Sequence, residues 1–365
     1  MSGALVELVA KGSQDAYLTG DPEVSFFHQT YKRHTNFAQK PVPVQYTGTA
    51  GASQQINMKL LNKGDLLGYV WMDLGTTAVL YLQDTIFELY IGGQLIDRQD
   101  GFYMTQLWQK FLLDSSAKGF AGMYTDLNHA NPINNTTSAT WLPLHFFFCD
   151  SMCYLPLVAL QYHEVEVRIT FGSIFPTTPV NIYANYIVLD TTEREAIVNK
   201  EHNLLIEQVQ RITATSPYTN ASNKFDLSFI NHPVKCILWG HPLTPAAFIT
   251  QSVQLYLNGT ELFESVMPDV YFSTVQAYYH SEYASVLMGG QDTAYTNTGG
   301  GLKMYSFALK ANKHQPCGTC NFSRLDTASL TFGTVTGAPA NFYLYAVNFN
   351  ILRIKNGLSG LAFSS

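Results

Sequence analysis

Short runs in which apolar and polar residues alternate dominate this chain. In HEVEVRI (His163 to Ile169), Val165, Val167 and Ile169 share one face, and Glu164, Glu166 and Arg168 the other. That period of two predicts a half-buried β-strand. Val44 to Thr47, Ile56 to Leu61, Leu67 to Met72, Ile86 to Ile91 and Val165 to Phe171 read the same way, each bounded by Gly, Asn, Asp or Pro. Helical spacing is rare. It marks Asp100 to Leu113, and Thr192 to Asn199, where Thr191 or Thr192 can cap and Glu193 and Glu195 suit the first turn.

Two internal matches set the expected architecture. FELYIGGQLIDR (Phe87 to Arg98) aligns with VQLYLNGTELFE (Val253 to Glu264), sharing Leu89, Tyr90 and Gly93 with Leu255, Tyr256 and Gly259. Both predict strand, two-residue turn, strand, because Gly92-Gly93 and Asn258-Gly259 supply the positive φ angles such a turn needs. Pro179-Val-Asn181-Ile-Tyr183 then aligns with Pro339-Ala-Asn341-Phe-Tyr343 in the same order and at a similar interval. A duplicated domain accounts for both. Seven of the 19 residues from Glu193 to Arg211 are charged, which predicts an exposed helix and crossover between apolar halves. The expected organisation is a segment at 1–20, one sandwich at 21–200, a linker at 201–211 and a second sandwich at 212–365. Units of this size, with about eight strands each, suit jelly rolls better than immunoglobulin sandwiches. The fold class expected is all-β: two consecutive antiparallel jelly-roll sandwiches with a few short helices.

Composition narrows the function. Only 13% of the 365 residues are charged, with 46% hydrophobic and a formal net charge of −6. No basic run stands out, so direct nucleic-acid binding is not expected. Sparse charge predicts broad surfaces covered by partner proteins. No stretch of about 18 apolar residues occurs, and Met1 to Ala10 has neither a basic start nor an uninterrupted apolar run, so no signal peptide is expected. Five cysteines without a secretory signal predict reduced thiols.

Candidate chemistry is thin. His145, Cys149 and Cys153 would share a helical face, but Phe146 to Phe148 favour a buried strand, which breaks that geometry. His314, Cys317 and Cys320 contain one C-x-x-C, and Pro316 and Gly318 make a turn the simpler reading. His163, Glu164 and Glu166 lack the remaining ligands of a cupin-type metal site. Gly299 to Lys303 lacks the phosphate-loop pattern, and no G-x-S-x-G occurs. No catalytic residue, metal or cofactor is expected. Asn134, Asn135, Asn220 and Asn321 head N-x-[ST] triplets and are candidate glycosylation sites, whereas Asn258 reads as a turn residue.

Several long motifs resemble one family, the double jelly-roll major capsid proteins of large eukaryotic nucleocytoplasmic DNA viruses. They are LVAKGSQDAYLTGDPEVSFFHQTYKRHTNFA (Leu8 to Ala38), FELYIGGQLIDRQDG (Phe87 to Gly101), LPLHFFFC (Leu142 to Cys149), LPLVALQYHEVEVRITF (Leu155 to Phe171) and LDTTEREAIVNKEHNLLIEQVQ (Leu189 to Gln210). NHPVKCILW, LYLNG, MYSFALK, HQPCGTCNFSRLDTASLTF and YAVNFNILRIKNGLSGLAFSS follow in family order. The resemblance implies a homotrimer with six jelly rolls, a pseudo-hexagonal capsomer tiling an icosahedral shell around an internal membrane and DNA genome. It places the protein in the virion capsid after assembly in the host cytoplasm. It also implies partners: neighbouring capsomers, minor capsid proteins and the inner viral membrane surface. Met1 to Thr35 would lie at the capsid base, where Lys32, Arg33 and His34 form the clustered positive charge that would meet acidic minor proteins or lipid headgroups. Ser115 to Thr140 and Ser281 to Gly301 leave little room for large outer loops. The alternatives are a minor double jelly-roll capsid component and a carbohydrate-binding jelly roll.

Overall fold

The alternating segments pair into antiparallel sheets, twice over. The computed structural model describes residues 3–75, 77, 79–113, 140–149, 153–213, 224–240, 249–250, 252–281, 302–333, 335–336 and 343–363. The chain divides into a unit at Met1–Asn36 and a second at Phe37–Ser365. The first holds two short helices, Gly3–Glu7 and Ala16–Thr19.

In the second unit, ten strands precede residue 190: β1 (Phe37–Val44), β2 (Tyr46–Gly48), β3 (Gln55–Leu60), β4 (Leu66–Gly75), β5 (Ile86–Ile91), β6 (Gln94–Asp100), β7 (Thr140–Pro143), β8 (Leu155–Pro156), β9 (Val165–Thr170) and β10 (Asn181–Leu189). They form one sheet ordered β1-β10-β4-β7, with β8 on β4, and another ordered β2-β3-β9-β5-β6. Thirteen strands follow: β11 (His202–Thr213), β12 (Lys224–Asp226), β13 (Pro233–Gly240), β14 (Ile249–Thr250), β15 (Ser252–Leu257), β16 (Thr260–Glu261), β17 (Met267–Pro268), β18 (Leu302–Ser306), β19 (Cys320–Asn321), β20 (Ala328–Phe332), β21 (Val335–Thr336), β22 (Tyr343–Lys355) and β23 (Leu358–Leu361). Their main sheets run β11-β22-β13-β18, with β19 on β13, and β12-β20-β15-β16.

The second order is the first order repeated. Replacing β1, β10, β4, β7 and β8 by β11, β22, β13, β18 and β19 reproduces one sheet; replacing β3, β9, β5 and β6 by β12, β20, β15 and β16 reproduces the other. Eight core strands shared between two sheets, in each half, is jelly-roll architecture. The hairpin match is structural too: Gly92 and Gly93 have φ of 59° and 79°, and Asn258 and Gly259 of 50° and 76°. Pro339 to Asn341, and the two loops at Ser115 to Thr140 and Ser281 to Gly301, fall almost wholly outside the described residues, as does Gly299 to Gly301.

Each hairpin is followed by a helix of one unusual shape. The helix predicted at Asp100 to Leu113 is a π-helical turn, Tyr103–Leu107, running into the α-helix Trp108–Phe111. Its counterpart 168 residues later is the π turn Tyr271–Val275 running into the α-helix Gln276–His280. At equivalent positions Thr105 donates its hydroxyl to the Gly101 carbonyl (2.6 Å) and Ser273 to that of Asp269 (3.3 Å). The other predicted helix spans Thr191–Val198, one residue earlier than expected; extended Asp190 precedes it and no side chain caps it.

Of residues 201–211, expected to bridge the halves, all but Glu201 belong to β11, paired along its whole length with β22. Of the charges in this stretch, Glu207 and Arg211 face a polar seam rather than open solvent, while Glu201 pairs with Arg353 and Lys355 of β22. β22 itself is buried on both faces, and its side chains alternate between two cores. Leu344 and Ala346 join Ile237, Trp239, Leu330 and Phe332 inside the second sandwich. Tyr343, Tyr345 and Val347 join Cys236, Leu238 and Met304 in a core continuous with the first half. That core includes Phe102 and Phe111 of the first helix, each fully buried. Burying a side chain of this size contributes about 1.5–3 kcal/mol. The halves are thus joined by apolar packing as well as by the chain.

Candidate functional site

The expected base contacts lie in the N-terminal unit. Lys32, Arg33 and His34 are all exposed, and the His34 Nδ1 sits 2.8 Å from the Thr35 carbonyl. Nearby, Phe26, Phe27 and Tyr31 are 92%, 101% and 81% exposed. The segment therefore pairs cations with bare aromatic rings, a composition suited to partner surfaces.

Of the candidate glycosylation positions, Asn134, Asn135 and Asn220 lie outside the described residues. Asn321 is exposed, and its side chain accepts the Ser323 N–H at 3.1 Å, capping the 3₁₀ turn Phe322–Arg324. Asn258 is the turn residue anticipated: its amide oxygen accepts the N–H groups of Asp326 (2.9 Å) and Thr327 (3.3 Å).

The possible metal groups disperse. Phe146 to Phe148 are buried, but in a bend and turn rather than a strand, and His145 stacks on Trp108 with ring centroids 3.6 Å apart. Cys317 bonds the backbone of Lys310, while His314 points to the Leu205 carbonyl (3.1 Å) and to Glu207 (3.5 Å). Glu164 pairs with Lys59 and Glu166 with Arg168. β9 buries Val165, Val167 and Ile169 on alternate positions, as its sequence predicts. Among the described residues no three His, Cys, Asp or Glu side chains converge as metal ligands.

The polar chemistry concentrates instead between the two sandwiches. Asp100, at the end of β6, is buried and accepts from Arg211 of β11 (2.8 Å), from the Tyr345 hydroxyl of β22 (2.7 Å) and from the Tyr103 N–H (2.8 Å). Burial raises its carboxyl; Arg211, Tyr103 and Tyr345 pull the other way. Asp97 accepts the N–H of Val209 (3.0 Å) and the amide of Gln99 (2.7 Å), and burial pushes it up to about 7. Gln208 donates to the Ile96 carbonyl from the same strand.

Farther along β11, Glu207 takes the buried Lys235 ammonium at 2.6 Å. Burial opposes its ionisation, yet Lys235 and His314 hold its carboxyl below the usual range. Cys153 and Glu207 together keep the His314 imidazole charged, its pKa raised to about 10. At the far end, the Tyr162 N–H donates to the Gly357 carbonyl (3.1 Å), and His163 accepts the Ser359 N–H (3.1 Å). The charged stretch around β11 thus closes a seam between the halves. Its chemistry is structural: Asp97 and Asp100 are engaged by donors from the opposite sandwich, and Glu207 by Lys235 and His314 of its own.

Sequence reasoning did not single out this seam. Asp97 and Asp100 lie in an ordinary-looking strand end, and their partners are 111 or more residues away.

Comparison with known proteins agrees with the architecture. Residues 25–199 match the family described as "Major capsid protein N-terminus", and residues 244–360 match "Large eukaryotic DNA virus major capsid protein". The chain is 34% identical to the major capsid protein of Pyramimonas orientalis virus and 31% identical to that of Paramecium bursaria Chlorella virus 1, covering 100% of both chains in each case. The solved structure of PBCV-1 VP54 superposes with a TM-score of 0.77 at 26% identity, covering 93% of this chain and 100% of that one. The Faustovirus major capsid protein shares the fold, with a TM-score of 0.66 at 10% identity. The repeated strand order, the shared core and these matches agree: the chain belongs to the family of double jelly-roll major capsid proteins of large eukaryotic DNA viruses, and it is a structural protein rather than an enzyme.

Proposed function

We propose that this protein is a shell subunit that forms a homotrimer, the trimer being a pseudo-hexagonal capsomer tiled into an icosahedral virion capsid around an internal membrane and DNA genome. The observation that carries this reading is the repetition of one strand order in two sandwiches that share a core. Three such chains offer six similar edges, which is what hexagonal packing of a three-fold object requires. Sparse charge fits broad lateral faces that bury without stranding ions. In this reading the first jelly roll begins at β1 (Phe37) and the second at β11 (His202), rather than at the 21 and 212 expected from sequence, and the protein is assembled in the host cytoplasm.

The exposed N-terminal unit is assigned to the capsid base. Lys32, Arg33 and His34 there meet minor capsid proteins or the inner membrane surface, with Phe26, Phe27 and Tyr31 supplying apolar contact. Light scattering of the purified chain tests the trimer: the expected mass is three times that of one chain. A single-chain mass at high concentration would overturn it. Charge reversal at Arg33 should leave that mass unchanged and impair shell assembly.

A further inference from the structure

The two π-then-α helices occupy equivalent places in the two sandwiches, yet only one is covered. Each tucks one side chain into its own sandwich: Met104 in the first is fully buried, and Phe272 in the second is 1% exposed. Their outer faces differ. Phe102 and Phe111 are fully buried. Phe102 lies 6.0 and 6.1 Å from the Tyr343 and Tyr345 rings of β22, and the Lys110 ammonium reaches the Leu302 carbonyl of β18. The counterparts of Phe102, Lys110 and Phe111, each 168 residues on, are Val270, Tyr278 and Tyr279, which are 54%, 72% and 65% exposed. Among the described residues no aromatic surface covers them as β22 covers the first helix.

The corresponding face of the first sandwich is half-open. In the second sandwich, Tyr345 and Leu238 point away from their own core and receive the first helix. In the first sandwich, the sheet with the same strand order leaves Tyr183 on β10 and Trp71 on β4 half-buried on its other face, while their neighbours Ile182, Ala184, Val70 and Met72 fill the core. Trp71 stacks on Tyr183 at 4.5 Å and meets Trp141 edge-on at 6.2 Å, beside exposed Tyr69 and Pro43. The described residues thus hold one satisfied helix-on-sheet contact, one exposed helix and one half-open sheet face with the same strand order.

We infer that the helix Tyr271–His280 of one subunit docks on the Trp71–Tyr183 face of a second copy of this chain, repeating between chains the contact that the first helix makes within the chain. The occupant is a second copy because the surface that fits such a helix is already built in this molecule. Such a contact is head-to-tail, the kind that closes into a ring when the rotation between copies allows it, as the trimer requires. It rests on the trimer reading and adds which surfaces meet.

The experiment uses the full chain and four proteins measured by light scattering, with circular dichroism melts to show that each is folded. Y278D/Y279D removes the helix face, W71D/Y69D the sheet face, and F229D, at a side chain 74% exposed elsewhere, is the control. Expected are three-chain masses for wild type and F229D, and single-chain masses for the other two. Should the sheet variant fail to fold, the helix variant alone decides. Mixing the two single-chain variants should yield a two-chain species, since one retains the sheet face and the other the helix. Three-chain masses for wild type and both face variants would overturn the docking surfaces while leaving the trimer standing, as would a mixture that stays single-chain or a control that also falls apart. A single-chain wild type would overturn the trimer and the docking together.

Discussion

The turns of the two repeated hairpins hold the same left-handed backbone by opposite means. In the second sandwich, Asn258 takes the first positive-φ position and uses its side chain, accepting two N–H groups from the Asp326–Thr327 segment. In the first, Gly92 takes it without a side chain, because the His163 ring lies where a Cβ would be. In both, the backbone N–H still bonds the neighbouring strand, to Glu164 in one and Thr327 in the other. The difference follows the surroundings. The first turn is overlaid by His163, which reaches on to Ser359 of the other sandwich, whereas the second is exposed. Seam residues obey the same rule: buried Asp100 has Pro268, exposed, as its counterpart, so the charge exists only where the chain supplies Arg211. The duplicated backbone persists, and side chains diverge according to what covers them.

Removing what covers the first half should have the largest effect. Arg211→Ala leaves the Asp100 carboxylate buried with its guanidinium gone, a loss of about 3–5 kcal/mol, read as a lowered denaturation midpoint. Lys59→Ala, at an exposed pair on the same sandwich, should leave the midpoint unmoved.

Titration probes the same asymmetry. Asp97 ionises near its ordinary 3.8 when unfolded and near 7 when folded. Between those values the folded chain keeps a proton that the unfolded chain releases. Its contribution to stability therefore falls as pH rises from about 4 to about 7, at most about 1.4 kcal/mol per pH unit. Asp97→Asn should flatten that slope in urea melts taken across this range.

Smaller effects are expected at the turns. Gly92→Asn imports the second turn's solution into the first, where its Cβ collides with His163. It should cost about 1–3 kcal/mol by overpacking. Asn258→Gly forfeits two hydrogen bonds but relieves a positive φ, for a net loss of less than about 1 kcal/mol. Equal costs at the two turns would break the comparison.

Much of this fold was legible in sequence because its signals are local. Period-two alternation marks β9, and positive-φ residues mark both turns. The repeated helix was not legible in its second copy: YMTQL and YFSTV share only Tyr and a hydroxyl, and it is the π geometry, with Thr105 and Ser273 bonding back, that relates them. β11 read as a linker because its charges suggested solvent. Their partners, Asp100 and Lys235, lie far away in sequence, and only folding brings them together. The bare faces were hidden for a related reason. Nothing local distinguishes Phe111, buried in the shared core, from Tyr279, which is exposed.

The central claim is that two equivalent jelly rolls per chain make a three-fold, pseudo-hexagonal building block. Electron microscopy of the purified protein, sorted into end-on class averages, tests it most directly. Expected are particles of hexagonal outline with three-fold symmetry and six sandwiches around the axis. Isolated two-lobed particles, or rings without three-fold symmetry, would contradict it.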